Sequence, residues 1–450
     1  MQENLLDQMR RAVDQLTYVR SGGHVIGVSA GTVHAACVQG QTRVGDRATL
    51  HTATGKRMAE VVKLDQAGAY LLVDCATDGV SINDPVVFQR APVFAPHPGW
   101  IGRVVDPDGR PLDGRPLLSG ETPCALNAQP PSAHERRGLG ARLETGLAVF
   151  NTVLPLVRGQ RVGLFAGSGV GKSTLLADLA RGVQADVIVI ALVGERGREV
   201  GHFVQDVLGD EGMARAVVVT ATSDTGPQVR RRCALSATAV AESFRDAGLH
   251  VLLLIDSVTR FCEAHRELAV ASGESANLRG YPASTGPAIA RLCERAGPGT
   301  DGTGDITAVF SVLVAGSDMD EPVADMLRGV LDGHIVLDRE IAERGRFPAV
   351  DVVRSVSRAL PDAANDKENE IIAKARSLMG TYARSEMMIQ AGLYAAGSDP
   401  VLDAAISAHP ALEEFLTIKD ARGTMAHFAK LRQAIAASPM RQEPQPGAAL

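Results

Sequence analysis

The chain is poor in aromatic residues, which make up 4% of its 450 positions, with a single tryptophan and five tyrosines. It also lacks an excess of basic charge: 46 Lys and Arg stand against 52 Asp and Glu, a formal net charge of −6. Both shortages argue against a general nucleic-acid binder, which needs a cationic face and rings on which bases stack. The six cysteines are scattered, with no Cys-x-x-Cys pair, so neither a zinc site nor a disulfide framework is indicated. They read as small core residues in a reducing compartment. No apolar run approaches the ~18 residues that a membrane-spanning helix requires. The charged N-terminus has no apolar signal core, so the expected location is cytosolic, with any membrane contact peripheral.

What is present centres on residues 160–174, Gln-Arg-Val-Gly-Leu-Phe-Ala-Gly-Ser-Gly-Val-Gly-Lys-Ser-Thr. Val162 to Phe165 is a short buried-strand pattern. A glycine-rich turn follows, then Lys172, Ser173, Thr174 and helical apolar spacing at Leu175, Leu176 and Leu179. Strand, loop and helix in that order are the setting of a phosphate-binding loop. Gly167, Ser168, Gly169, Val170 and Gly171 form the turn, whose backbone N–H groups can face a polyphosphate at a helix N-terminus. Lys172 then reaches the terminal phosphates, and the Ser173 hydroxyl suits Mg²⁺. Ala166 stands where the strict motif has glycine. That position ends the strand, where a negative φ tolerates a Cβ.

Length alone suggests about two to four domains. Residues 3–19 carry Leu5, Leu6, Met9, Val13 and Leu16 at helical spacing, a stripe that suits either its own domain or a partner helix. Between 24 and 90, short β-rich runs alternate with turn residues, predicting a small β-barrel or sandwich. In residues 1–92 nine cationic side chains balance nine acidic ones, without the basic groove of a single-strand binder. Residues 91–131 are rich in Pro and Gly and read as loops around a short strand at 100–105. From 150 onward, strands at 161–165, 187–193, 215–221, 250–255, 305–314 and 334–338 alternate with helices, the longest at 227–247. That alternation predicts an α/β parallel sheet covered on both faces. Beyond Pro361 the pattern is helical to about 436, broken at Gly397-Ser398-Asp399-Pro400, and 438–450 has the composition of a disordered tail.

Three further segments bear on chemistry. Gly194-Glu195-Arg196-Gly197-Arg198-Glu199 follows a strand of the sheet, where ligands of such sheets bind. A carboxylate there can polarise a water for attack on a γ-phosphorus; the same charges also suit surface ion pairs at a helix start. Val251 to Ile255 is an apolar strand ending in Asp256, the form of a Walker B acid that holds a metal ion; the alternative is a helix cap. Phe347 suits stacking on a base or packing in the core.

Taken together, residues 164–174, 194–200, 251–260, 279–284, 316–325, 333–338, 347–358 and 397–406 resemble the catalytic-type subunits of rotary ATPases. Within them, the type III protein-export ATPases match best, the flagellar branch above all. The similarity runs from about 93 to 420 and weakens in the first 90 residues. It implies a RecA-like P-loop NTPase core (93–361), an N-terminal helix and small β-barrel (1–92), and a C-terminal α-helical domain with its tail (362–450). It implies a homohexameric ring hydrolysing ATP with Mg²⁺ at subunit interfaces. Carried across by position, Lys172 and Ser173 bind phosphate and Mg²⁺, Glu195 activates the water, and Asp256 is the Walker B acid. Arg196 lies by the γ-phosphate, Phe347 stacks on adenine, and Arg358 is the finger offered to the neighbouring subunit. The acidic loop 317–320 faces the central hole.

The function implied is ATP hydrolysis energising flagellar protein export at the inner membrane. The implied partners are a stator-like regulator on the N-terminal helix, a central stalk protein, membrane export-gate proteins, and export substrates with their chaperones. A virulence-type secretion ATPase and a rotary synthase subunit remain alternatives, as does a hexameric RNA translocase, which the neutral, ring-poor barrel disfavours. Having Glu195 and Arg358 on one chain suits a ring of identical copies, since each interface is then complete. Lys172→Ala is expected to abolish ATP hydrolysis and leave the circular-dichroism melt in place; normal turnover would contradict a phosphate role for this side chain.

Overall fold

The structure, a computed structural model, describes residues 21–29, 31–36, 42–91, 94–278, 280–314, 319 and 321–436. The expected helix at 3–19, the acidic loop at 317–320 apart from Met319, and the tail at 438–450 lie outside the described residues.

Six strands close the barrel: β1 (Ser21–Ser29), β2 (Thr32–Ala36), β3 (Arg47–Thr52), β4 (Gly55–Asp65), β5 (Gly68–Val73) and β6 (Pro85–Gln89). Their order is β1-β2-β5-β4-β3-β6, with β6 returning to β1. Alternate residues such as Val25, Val33, Leu50, Val61, Leu71 and Val86 fill its own core. Strands β2 and β4 have no clear β-rich signature in the sequence. In β4 only Ala59 and Val61 of its middle are fully buried, and charged residues flank them.

The eight-stranded sheet is built from β7 (Arg103–Val105), β8 (Arg161–Ala166), β9 (Val187–Glu195), β10 (Ala216–Thr222), β11 (Val251–Asp256), β14 (Ile306–Leu313), β15 (Gly333–Leu337) and β16 (Val350–Ser357). The intervening β12 (Ala276–Leu278) and β13 (Tyr281–Pro282) form a separate small hairpin. The order is β16-β15-β8-β14-β11-β9-β10-β7. All neighbours run parallel except β15 and β16, so the expected parallel sheet carries one antiparallel edge. The short strand expected near 100–105 joins the main sheet at its far edge instead of standing alone in a loop.

The long helices are α1 (Lys172–Gly182), α2 (Pro227–Asp246), α3 (Val258–Ala271), α4 (Thr285–Glu294), α5 (Asp366–Gln390), α6 (Pro400–Leu416) and α7 (Gly423–Ala436). The period-two pleat sorts the sheet's apolar residues between two cores. Ile188, Ile190 and Leu192 face α1 and the C-terminal helices, joining Leu175, Leu176, Leu179, Leu412, Phe415 and Phe428. Val187, Val189, Ala191 and Val193 face α2 and α3, joining Ala237, Val240, Phe244 and Phe261. This double burial is why β9 reads as a continuous apolar run. Small residues on α2, among them Ala234, Ala237 and Ala241, let the helix lie close to the sheet.

One buried ion pair welds the second core. The Arg295 side chain, 1% exposed, spans both oxygens of Glu242 at 2.9 and 2.5 Å and also donates to the Leu126 carbonyl at 2.6 Å. Removing one partner strands the other charge out of water. Arg295→Ala is therefore expected to cost roughly 3–5 kcal/mol, read as a lowered unfolding midpoint in urea; an unchanged midpoint would contradict this account.

Candidate active site

In the parallel part of the sheet the carboxyl ends of β8, β14, β11 and β9 come out at one edge, and the glycine-rich loop leaves β8 there. Gly169 and Gly171 have φ of 78° and 85°, the left-handed region where a Cβ is strained. Gly171 is the N-cap of α1, with no side-chain cap. The N–H groups of the first turn are thus left for a ligand. Gly167, Ser168, Gly169, Lys172, Ser173 and Thr174 line a cleft of about 560 Å³, while Val170 is buried beneath.

Lys172 bends into a direct contact with Asp256 at the end of β11. The Asp256 carboxylate is 3% exposed and also accepts a bond from the Ser311 hydroxyl at 2.7 Å. Both bonds fall on Oδ1. The helix-cap alternative for Asp256 does not hold: Ser257 caps α3, accepting from the Arg260 N–H.

Glu195 ends β9 and faces the same cleft, as do Arg196 and Glu199. Its carboxyl is pushed up to about 7, first by burial, then by the charge of Asp256, with Lys172 opposing and Glu199 adding to the rise. Glu199 shifts the other way, held ionised mainly by its hydrogen bond with Glu195. The two carboxyls thus share one proton. Arg196 also makes the surface ion pair envisaged as the alternative, 3.3 Å to Glu199 with its side chain 76% exposed.

Phe347 is 45% exposed and lies over the loop, so that a Cβ on Gly171 would stand 3.3 Å from its ring. Core packing does not describe it. Arg358 is the one predicted residue that the fold carries away. Ser357 pairs with Gly333, while Leu337 pairs with Ala166, so Arg358 sits at the amino end of β8. Four residues of strand, roughly 13 Å, separate that level from the start of the phosphate loop. Among the described residues its exposed guanidinium bonds only to the Arg328 carbonyl, at 3.3 Å.

Arg230, Arg260 and Ser223 also line the cleft, and sequence reasoning singled out none of them for it. Gly194 is wedged between the first two: a Cβ there would lie 3.5 Å from both. Arg230 starts α2 and is bonded to Glu267 of α3, so only the helix packing reveals it.

Residues 146–357 match the nucleotide-binding domain of the ATP synthase alpha/beta family, and 364–435 match the C-terminal domain of the type III secretion ATPase EscN. The flagellum-specific ATP synthase of Caulobacter vibrioides is 46% identical over 80% of this chain and 82% of its own. That of Agrobacterium fabrum is 41% identical over 95% and 90%. This chain belongs to that family. A type 3 secretion system ATPase from Xanthomonas euvesicatoria is 39% identical over 91% of this chain and 92% of its own. Among solved structures, the assembled ATPase EscN from the type III secretion system of enteropathogenic E. coli superposes with a TM-score of 0.85, at 34% identity, over 92% of this family member and 100% of EscN.

A carboxylate that orients water works only when ionised, and Glu195 is protonated below about pH 7. Log kcat/KM for ATP is expected to fall with decreasing pH through that region. Glu199→Ala, which removes the shared-proton partner, moves this limb to lower pH. A profile flat from pH 6 to 8, an interval of about 2 units around the limb, would contradict the assignment.

Proposed function

We propose that this chain is the ATPase that energises type III protein export in flagellum assembly. It works as a ring of identical copies in which each ATP is bound by one copy and completed by the next. The observation that carries this reading is the separation of Arg358 from its own phosphate loop. Lys172, Glu195 and Asp256 gather at one edge of the sheet, and the only arginine offered for the finger role stands at the other end. A heterologous contact between like copies brings the two together, and it closes into a ring when the rotation permits.

In this reading the loop 167–174 holds the phosphates through backbone N–H groups and the N-terminus of α1. Lys172, in contact with Asp256 here, turns to the terminal phosphates. Glu195 takes a proton from, and orients, the attacking water. Arg196 lies by the γ-phosphate, and Phe347 stacks on the adenine. Arg358 of the adjacent copy stabilises the charge that builds on the transferring phosphoryl group.

The donor set fits Mg²⁺: hard oxygens from the Asp256 carboxylate, whose Oδ2 carries no bond among the described residues, and the Ser173 hydroxyl at the start of α1. When bound, Mg²⁺ would neutralise negative charge on the phosphates.

The preference for flagellar export over a virulence-type secretion system rests on the higher identity to the flagellum-specific relatives. A second solved structure holds the assembled EscN in complex with its central stalk, EscO, and it matches this chain with a TM-score of 0.82. It supports a stalk protein as a partner here. A stator-like regulator on the N-terminal segment, membrane gate proteins, and export substrates with chaperones complete the reading, as does a place on the cytoplasmic side of the inner membrane. The same reading divides the chain into an N-terminal unit (1–92), a nucleotide unit (93–361) and a C-terminal unit (362–450).

Glu195→Gln and Arg358→Ala are each expected to be inactive alone. Mixed, they regain part of the wild-type ATPase rate, because some interfaces then pair an intact Glu195 with an intact Arg358. The rate per copy should also rise with protein concentration. No recovery at any mixing ratio, together with a rate independent of dilution, would sink the shared-site reading.

A further inference from the structure

A second cavity, of about 400 Å³, lies where the barrel meets the nucleotide core and shares no lining residue with the phosphate-loop cleft. Its charge does not balance. Arg47 pairs with Asp74, with one bond at 3.1 Å. Arg232 pairs with Glu60 and with Asp108, the latter at 2.6 Å. Asp46 is bonded by Arg90 at 3.1 Å. Every carboxylate of the cavity is thereby used. Arg43 from the barrel side and Arg231 from α2 have no carboxylate bonded to their guanidinium groups among the described residues.

Arg231 is the more telling of the two. It is half-buried, and burial depresses its guanidinium while the neighbouring Arg232 and Arg291 depress it further. Its nearest opposing charge, Glu60, is already held by Arg232. A cation out of water and crowded by like charges is costly without a counter-charge. Two more groups lining the cavity are short of partners. Among the described residues, the Nε of Arg47, a residue 3% exposed, has no acceptor, and the Oε1 of Gln228, 2% exposed, has no donor. The Gln228 amide cannot be turned to cure this. Its Nε2 already serves two acceptors, the Leu72 carbonyl at 3.2 Å and Asp74 at 2.9 Å. Phe94, Leu235 and Leu268 add apolar lining to the same cavity.

The geometry points to this junction as a binding site for a small organic anion. Its phosphate or carboxylate group lies between Arg231 and Arg43, and its apolar body lies against Phe94, Leu235 and Leu268. The volume is that of an ordinary small-ligand pocket, and junctions between structural units are where such pockets occur. An anion there answers the unpaired charge that the protein leaves unanswered. The site also has a mechanical connection to catalysis: Arg230 and Arg231 are consecutive residues in the first turns of α2, one lining the nucleotide cleft and the other this cavity.

Phenyl phosphate and benzoate serve as probes, titrated calorimetrically into the full-length protein saturated with MgADP, with inorganic phosphate as the comparison that lacks an apolar body. Phenyl phosphate is expected to bind more tightly than inorganic phosphate. Arg231→Gln weakens it about tenfold, the loss expected for one charge-assisted bond. Arg43→Gln weakens it as well, and Lys172→Ala leaves it unchanged, since the phosphate loop is not the site. Benzoate binding alongside phenyl phosphate identifies a general oxyanion site, and failure of benzoate alone restricts it to phosphates. Thermal melts of each variant confirm that it is folded. Should phenyl phosphate bind equally well to Arg231→Gln and Arg43→Gln, or lose its binding only in Lys172→Ala, the proposal is wrong; so too if no probe binds at all.

Discussion

The parallel register of the central strands is the constraint on which this molecule depends. Because β8, β14, β11 and β9 run the same way and end together, three groups far apart in sequence meet at one edge: the phosphate loop, Asp256 and Glu195. The same register dictates what cannot meet. β16 runs against its neighbour, so its C-terminal end, and Arg358 with it, comes out at the opposite edge. The distance of Arg358 from its own phosphate loop is thus a property of strand direction and does not hinge on any loop conformation.

Much of this is readable in the sequence, for physical reasons that differ from one element to the next. The phosphate loop is legible because its chemistry needs particular residues at fixed spacing. Strands β9 and β11 are legible because burial on both faces demands unbroken apolar runs. β16 is not. It is an edge strand with a register irregularity opposite His334 and Val336, and its buried residues, Val350, Val352 and Ser355, follow no clean alternation. β4 is obscured for a related cause, since charged residues cover the outside of the barrel.

The site shows the same division. Lys172 and Asp256 declare themselves through motif and strand context. The roles expected of Arg196, Phe347 and Arg358 come from family resemblance alone, and the exposure of Phe347 beside Gly171 is a fact only the fold supplies. Arg230 and Ser311 carry no local signal. Arg230 reaches the cleft because its helix packs beside β9, and Ser311 reaches Asp256 because β14 pairs with β11. The shared proton of Glu195 and Glu199 depends on burial and on the charge of Asp256, neither of which four residues of spacing can report.

The far end of α1 is held as firmly as its beginning. Gly182 lies so close to the Thr145 carbonyl that a Cβ would stand 2.0 Å from it, and Asp178 is bonded to Lys419 at 2.5 Å. Lys419 in turn forms an isolated bridge with Leu147, and buried His427 joins Asn151 to Asp420 at 3.1 and 2.9 Å. The C-terminal helices are therefore not a detachable module. They are one wall of the box around the phosphate-loop helix, and a foreign tail grafted onto this core would have to reproduce that wall, side chain for side chain, before it could bring any new specificity.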